Sequence, residues 1–131
     1  MSLIDSLQKN LPGLPTHLGM EFTEASLDRV VATLFVREDL CNPNNSIHGG
    51  ALMTFADTLG ALATIINIPK ENWTTTIESK TNFIAPALAN TVLTGVATPL
   101  HKGRRTQIWE TIITREDGKT VAKVTQTQLV L

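Results

Sequence analysis

No tyrosine occurs in the chain, phenylalanine occurs four times and cysteine once. A lone Cys41 cannot close an internal disulfide, which excludes a bridged framework, and few side chains could read a ring hydroxyl on a ligand. Basic clusters are equally scarce. Three of the 11 Lys and Arg fall in His101-Lys102-Gly103-Arg104-Arg105, the rest are dispersed and the formal charge is -1, which argues against a nucleic-acid partner and for a small ligand. No basic-then-apolar leader with a cleavage site opens the sequence, so the expected address is cytoplasmic. Repeats, linkers and low-complexity tracts are also missing, and 131 residues with 42% hydrophobic content fit one domain over 1–131.

Charge itself is missing from a long central stretch. Asp57 is the only formally charged residue between Asp39 and Lys70, inside NPNNSIHGGALMTFADTLGALATIINI. A carboxylate among Leu, Phe, Met, Ile and Ala is expensive to bury unless something pairs with it or needs it, so Asp57 is the first candidate for chemistry. The segment from Gly49 to Ile68 approaches the length of a membrane span. That reading is rejected, because Asp57 near its centre would cost about 2.5–3.5 kcal/mol on insertion scales and no Lys/Arg cluster flanks it.

What is present has legible periods. Leu3, Ile4, Leu7 and Leu11 predict a short amphipathic N-terminal helix, with Ser2 as N-cap and Pro12-Gly13 as its stop; residues 1–16 form an extension. MEFTEASL and VVATLFV read as two strands around a tight turn at Asp28-Arg29. Leu52, Phe55, Ala56, Leu59, Leu62, Ala63 and Ile66 recur at helical steps, and Ala51, Met53, Ala61 and Ile65 make that helix apolar nearly all round, so other structure should wrap most of its sides. Four Val/Ile/Thr-rich strands follow, with Asp117-Gly118 marking a hairpin between the last two. The strands are too closely spaced for parallel crossovers. The expected class is α+β, an antiparallel sheet curled around one long helix.

His48-Gly49-Gly50 at the helix mouth offers backbone N–H groups unblocked by side chains at the positive end of the helix dipole, a place that can stabilise an oxyanion. Two glycines also let a chain turn closely into a helix, and the residues alone leave both readings open. His17 and His101 have no companions for a metal site. Cys41 has no legible activating environment and reads as packing. Trp73 and Trp109 are candidates for a ligand pocket or for the core.

Asn42, His48-Gly49-Gly50 and Asp57 nine positions after the histidine, on a helix flanked by strands in this order, resemble the hotdog-fold acyl-CoA thioesterases of the PaaI-like group over roughly residues 17–131. The resemblance implies hydrolysis of an acyl-CoA thioester with no metal or other cofactor, coenzyme A being part of the substrate. It implies Gly49 N–H as oxyanion donor, with Gly50 beside it. Asn42 and His48 then position the carbonyl, and Asp57 is nucleophile or general base. Thr76, with Thr75 as the neighbouring choice, would orient the water, and Lys102, Arg104 and Arg105 would hold the phosphates of coenzyme A. A non-catalytic acyl-CoA binder or lipid sensor on the same fold is the rival; a hotdog hydratase would carry other loop motifs.

Spacing adds an argument of its own. Gly49 and Asp57 are eight residues apart, roughly 12 Å along one helix, whereas one reacting carbon must lie about 3 Å from both groups. Two antiparallel helices satisfy both demands. The expected assembly is therefore a homodimer at least, with a tetramer as a dimer of dimers.

Overall fold

The computed structural model, which describes residues 1–131, opens with two short helices where the sequence predicts one. Helix α1 (Leu3–Lys9) is capped as expected: Ser2 Oγ accepts from Asp5 N–H at 3.1 Å, and the Asp5 carboxylate reaches back to the Ser2 N–H. The chain then breaks at Pro12 and immediately forms α2 (Gly13–Leu18). Prolines 12 and 15 look like breakers in the sequence, yet they fall at the N-cap and first turn, where backbone N–H groups have no intrahelical acceptor to lose. Gly19, at φ +84°, ends α2 in the left-handed region.

Strands β1 (Glu21–Ser26) and β2 (Arg29–Phe35) pair antiparallel with Ser26 opposite Arg29. The turn is thus Leu27-Asp28, one residue earlier than predicted. Arg29 is held in the ladder by its ion pair with Glu24 at 2.5 Å. A 3-10 turn and the Asn/Pro loop lead into helix α3 (Gly49–Ile65), followed by β3 (Thr74–Phe83), β4 (Val92–Lys102), β5 (Thr106–Thr114) and β6 (Thr120–Val130). The single sheet has the order β1-β2-β4-β5-β6-β3, every neighbour antiparallel. After α3 the chain crosses to the far side of the sheet, so β3 forms one edge and β1 the other.

Helix α3 lies across this sheet, contacting β2 through β6. Leu52, Phe55, Ala56, Leu59 and Ala63 are buried in a core shared with Leu93, Ala97, Trp109, Ile113 and Val124. Gly95 makes the approach close, since a Cβ there would lie 2.7 Å from Leu59 and 2.8 Å from Phe55. Fully burying Phe55 and Leu59 contributes about 1.5–3 kcal/mol each, which fixes the helix face that meets the sheet. The prediction of a helix wrapped on most sides is only partly met. Met53 and Ile65 remain 38% and 37% exposed, and with Gly50, Asp57 and Ala61 they form a stripe the sheet does not cover. No helix is long and apolar enough to cross a membrane.

Candidate active site

At the mouth of α3, His48 is the N-cap, and its Nδ1 accepts the Gly50 N–H at 2.8 Å. An accepting Nδ1 places the ring proton on Nε2, at the exposed side of the ring. Ala51 and Leu52 donate to the His48 carbonyl. The Gly49 N–H is left without an acceptor in the chain, at the positive end of the helix. Gly50, expected beside Gly49 as a binding residue, has its N–H committed to the cap. The Phe83 ring covers Gly49 so closely that a Cβ there would meet it at 3.0 Å. Asn42 sits in a turn held by its N–H to the Ser46 carbonyl at 2.8 Å, and its side-chain amide has no partner. Asn42, Gly49, Leu52 and Phe83 line one cleft of about 340 Å³.

Asp57 lies about two helix turns from Gly49, in another cleft of about 490 Å³ with Pro12, Leu14, Met53, Leu62 and Ser79. It is half-buried rather than stranded, and no Lys or Arg pairs with it. Neutral donors hold it instead. Thr76 Oγ donates to Oδ1 at 2.6 Å, and Gln126 Nε2 lies 3.4 Å from the same oxygen and 3.3 Å from the Asp57 carbonyl. Thr76 Oγ in turn accepts from Gln128 Nε2 at 2.6 Å. Of the two threonines, Thr76 therefore meets the acid while Thr75 is exposed. Its proton goes to the carboxylate and one of its lone pairs accepts from Gln128. Ser79 Oγ, in the same cleft, is buried without a partner.

Sequence reasoning missed Gln126, Gln128, Gly60 and the α2 wall. The signal for the first two lay in the Gln-Thr-Gln alternation of β6, which puts two amides on the inward face beside Val124.

The basic run lies beyond the other end of α3. Lys102 Nζ pairs with Asp28 at 2.5 Å and reaches Asn67, just past the helix, so its ammonium closes the β1–β2 turn instead of standing free for phosphate. Arg104 and Arg105 are exposed in the β4–β5 turn without side-chain partners. From Gly49 to Ile65 the helix runs roughly 24 Å, so these guanidinium groups stand far from Gly49 of their own chain. Burial pushes the Cys41 thiol up, with Glu38 and Asp39 adding to the effect, and its Sγ–H donates to the Arg37 carbonyl at 3.4 Å. It is no poised nucleophile. Trp109 is fully buried with Nε1 on Gln107, and Trp73 is 73% exposed; neither lines the Asp57 cleft.

A family model described as thioesterase superfamily matches residues 44–122. The proofreading thioesterase EntH of Cronobacter turicensis is 33% identical over 81% of this chain and 77% of its own length. A thioesterase from Haemophilus influenzae superposes with a TM-score of 0.90 at 26% identity, over all of this chain and 91% of that one. The Escherichia coli PaaI protein shares the fold, with a TM-score of 0.87 at 24% identity over 99% and 96% of the two chains. With the sheet order, the central helix and the helix-mouth motif already in place, this chain belongs to the thioesterase superfamily as a hotdog-fold thioester hydrolase.

Proposed function

We propose that the protein hydrolyses an acyl-CoA thioester to a carboxylate and free coenzyme A, at sites built from two protomers. The Gly49 N–H of one protomer donates to the developing oxyanion, with Asn42 and His48 Nε2–H beside it, and Asp57 of the other attacks or activates water. One observation carries this reading: in a single chain the free amide and the free carboxylate oxygen open into different clefts. Each half-site is incomplete alone.

Strand β3 supports a way to join them. It touches both halves, Thr76 at Asp57 and Phe83 at Gly49. Antiparallel pairing of this edge with a second copy, about an axis near Ser79 and Lys80, sets Thr76 of one chain beside Phe83 of the other. Gly49 then approaches the facing Asp57. The same antiparallel relation turns Arg104 and Arg105 of one protomer toward the helix mouth of its partner, where coenzyme A phosphates would need charge.

Thiol release from a panel of aryl, short-chain and long-chain acyl-CoAs tests the activity, with Asp57→Asn alongside. The wild type should turn over at least one class and the variant should lose about 10²-fold or more in kcat. An inert wild type overturns hydrolysis, and an Asp57→Asn variant at full rate overturns the site. Mixing Asp57→Asn with Asn42→Ala chains tests the shared site. Half the dimers then hold one intact site, so activity should recover toward about a quarter of wild type. No recovery in mixed dimers places each site within one chain.

A further inference from the structure

The groups behind Asp57 form a hydrogen-bond chain of one polarity, and we propose that Gln128 is the positioning residue that braces it from behind, so that Asp57 presents Oδ2 to the thioester or its water. The proposal rests on hydrolysis at Asp57 as proposed above. Gln128 is fully buried on β6 and makes no hydrogen bond to Asp57 itself. Thr74 Oγ donates to Gln128 Oε1 at 2.8 Å, Gln128 Nε2 donates to Thr76 Oγ at 2.6 Å, and Thr76 Oγ donates to Asp57 Oδ1 at 2.6 Å.

The direction of this chain follows from charge. An ionised carboxylate only accepts, so at 2.6 Å the single hydroxyl proton of Thr76 lies toward Asp57. Thr76 then has only acceptor capacity left for Gln128, which must offer its NH2 and turn Oε1 to Thr74. A fully buried amide costs free energy unless both ends are bonded; Thr76 accepts from its NH2, and the Thr74 hydroxyl, which also lies 3.1 Å from the Leu129 carbonyl, faces its Oε1. Gln126 adds a second donor at Oδ1 from the same strand. Oδ1 is thereby occupied twice, and Oδ2 takes no bond within the chain. Without the Gln128 donor, the Thr76 hydroxyl loses the bond that braces its side chain, and the carboxylate is held by a looser contact.

Because Gln128 lies behind the acid and away from the cleft, its loss should appear in kcat and not in KM. The test compares Gln128→Met, Thr76→Val and the double variant on the best acyl-CoA substrate. Each single change should lower kcat about tenfold or more with KM within about twofold, and the double should be no slower than the worse single, since Gln128 acts through Thr76. Losses that multiply in the double variant overturn the proposal. So does a wild-type kcat in Gln128→Met when Asp57→Asn is inactive, an outcome that leaves hydrolysis itself standing. A full rate in Asp57→Asn removes the underlying reading instead. Should Gln128→Met fail to fold, side-chain amide resonances of Gln128 give the answer. They should shift between the wild type and Asp57→Asn, relayed through Thr76; unmoved resonances overturn the proposal.

Discussion

Gly60 sits in the interior of α3, where glycine costs about 0.5–1 kcal/mol relative to alanine. Its reason is Gln126: a Cβ at Gly60 would lie 2.3–2.5 Å from the Gln126 amide, so the missing side chain is the space in which that amide passes beneath the helix to Asp57. Gly60→Ala should therefore lower stability by about 1–3 kcal/mol despite its better helix propensity, a result read from the urea midpoint, and should cut kcat as well. A stabilised, fully active variant would mean that the amide has another place to go. At Cys41 the opposite outcome is expected. With its thiol pushed up by burial and by Glu38 and Asp39, it should label slowly with a disulfide reagent at pH 7–8, and Cys41→Ser should retain activity. Asn42, His48, Gly49 and Asp57 were legible because they occupy one continuous segment. Gln126 and Gln128 were not, since their contacts with Asp57 and Thr76 span 69 and 52 residues and exist only once β6 has packed against α3 and paired with β3.

Among the elements, the strands and the central helix follow their periods to within a few residues, and the errors have local causes. Helix α2 was hidden by prolines that look like breakers yet fall where a helix tolerates them. The first turn slipped by one residue because Arg29 is drawn into the ladder by Glu24 and Asp28 outward to Lys102. The predicted Asp117-Gly118 turn did form, with Gly118 at φ +86° and its N–H on the Arg115 carbonyl at 2.9 Å. The Arg115 guanidinium and the Lys119 N–H hold the Asp117 carboxyl at about 2, below its usual 3.8. A depressed value in the folded state means the turn gains from Asp117 above its usual titration range and loses that gain as pH falls through about 2. Asp117→Asn should consequently unfold at lower urea than wild type at pH 6, the gap narrowing below pH 4 and closing near pH 2. An equal gap at both ends of that range would assign the effect to the backbone of the turn and not to the charge.

At the scale of the whole molecule, the two sheet edges differ in kind. β1 shows Glu21 and Glu24 to solvent, charge that discourages another strand from pairing there. β3 shows Ile77 and Phe83, each 57% exposed, with Glu78 and Lys80 of opposite charge exposed between them, and Ile84 follows at 55%. Beside them runs the uncovered stripe of α3 with Met53, Ile65 and the acid. An edge that carries exposed apolar side chains and charges of both signs, continuous with an open helix face, is the surface a second copy would bury, and it is the surface on which both half-sites lie. Ile77 is far enough into solvent that Ile77→Lys should fold unaided, yet in a paired edge its ammonium would be buried against the second copy and stripped of water. Light scattering should then report a monomer where the wild type is at least a dimer, with unchanged far-ultraviolet dichroism and thiol release reduced to background. A monomeric Ile77→Lys that still turns over acyl-CoA would show that Gly49 and Asp57 reach one thioester within a single chain, and the two-protomer site would have to be abandoned even if hydrolysis survives.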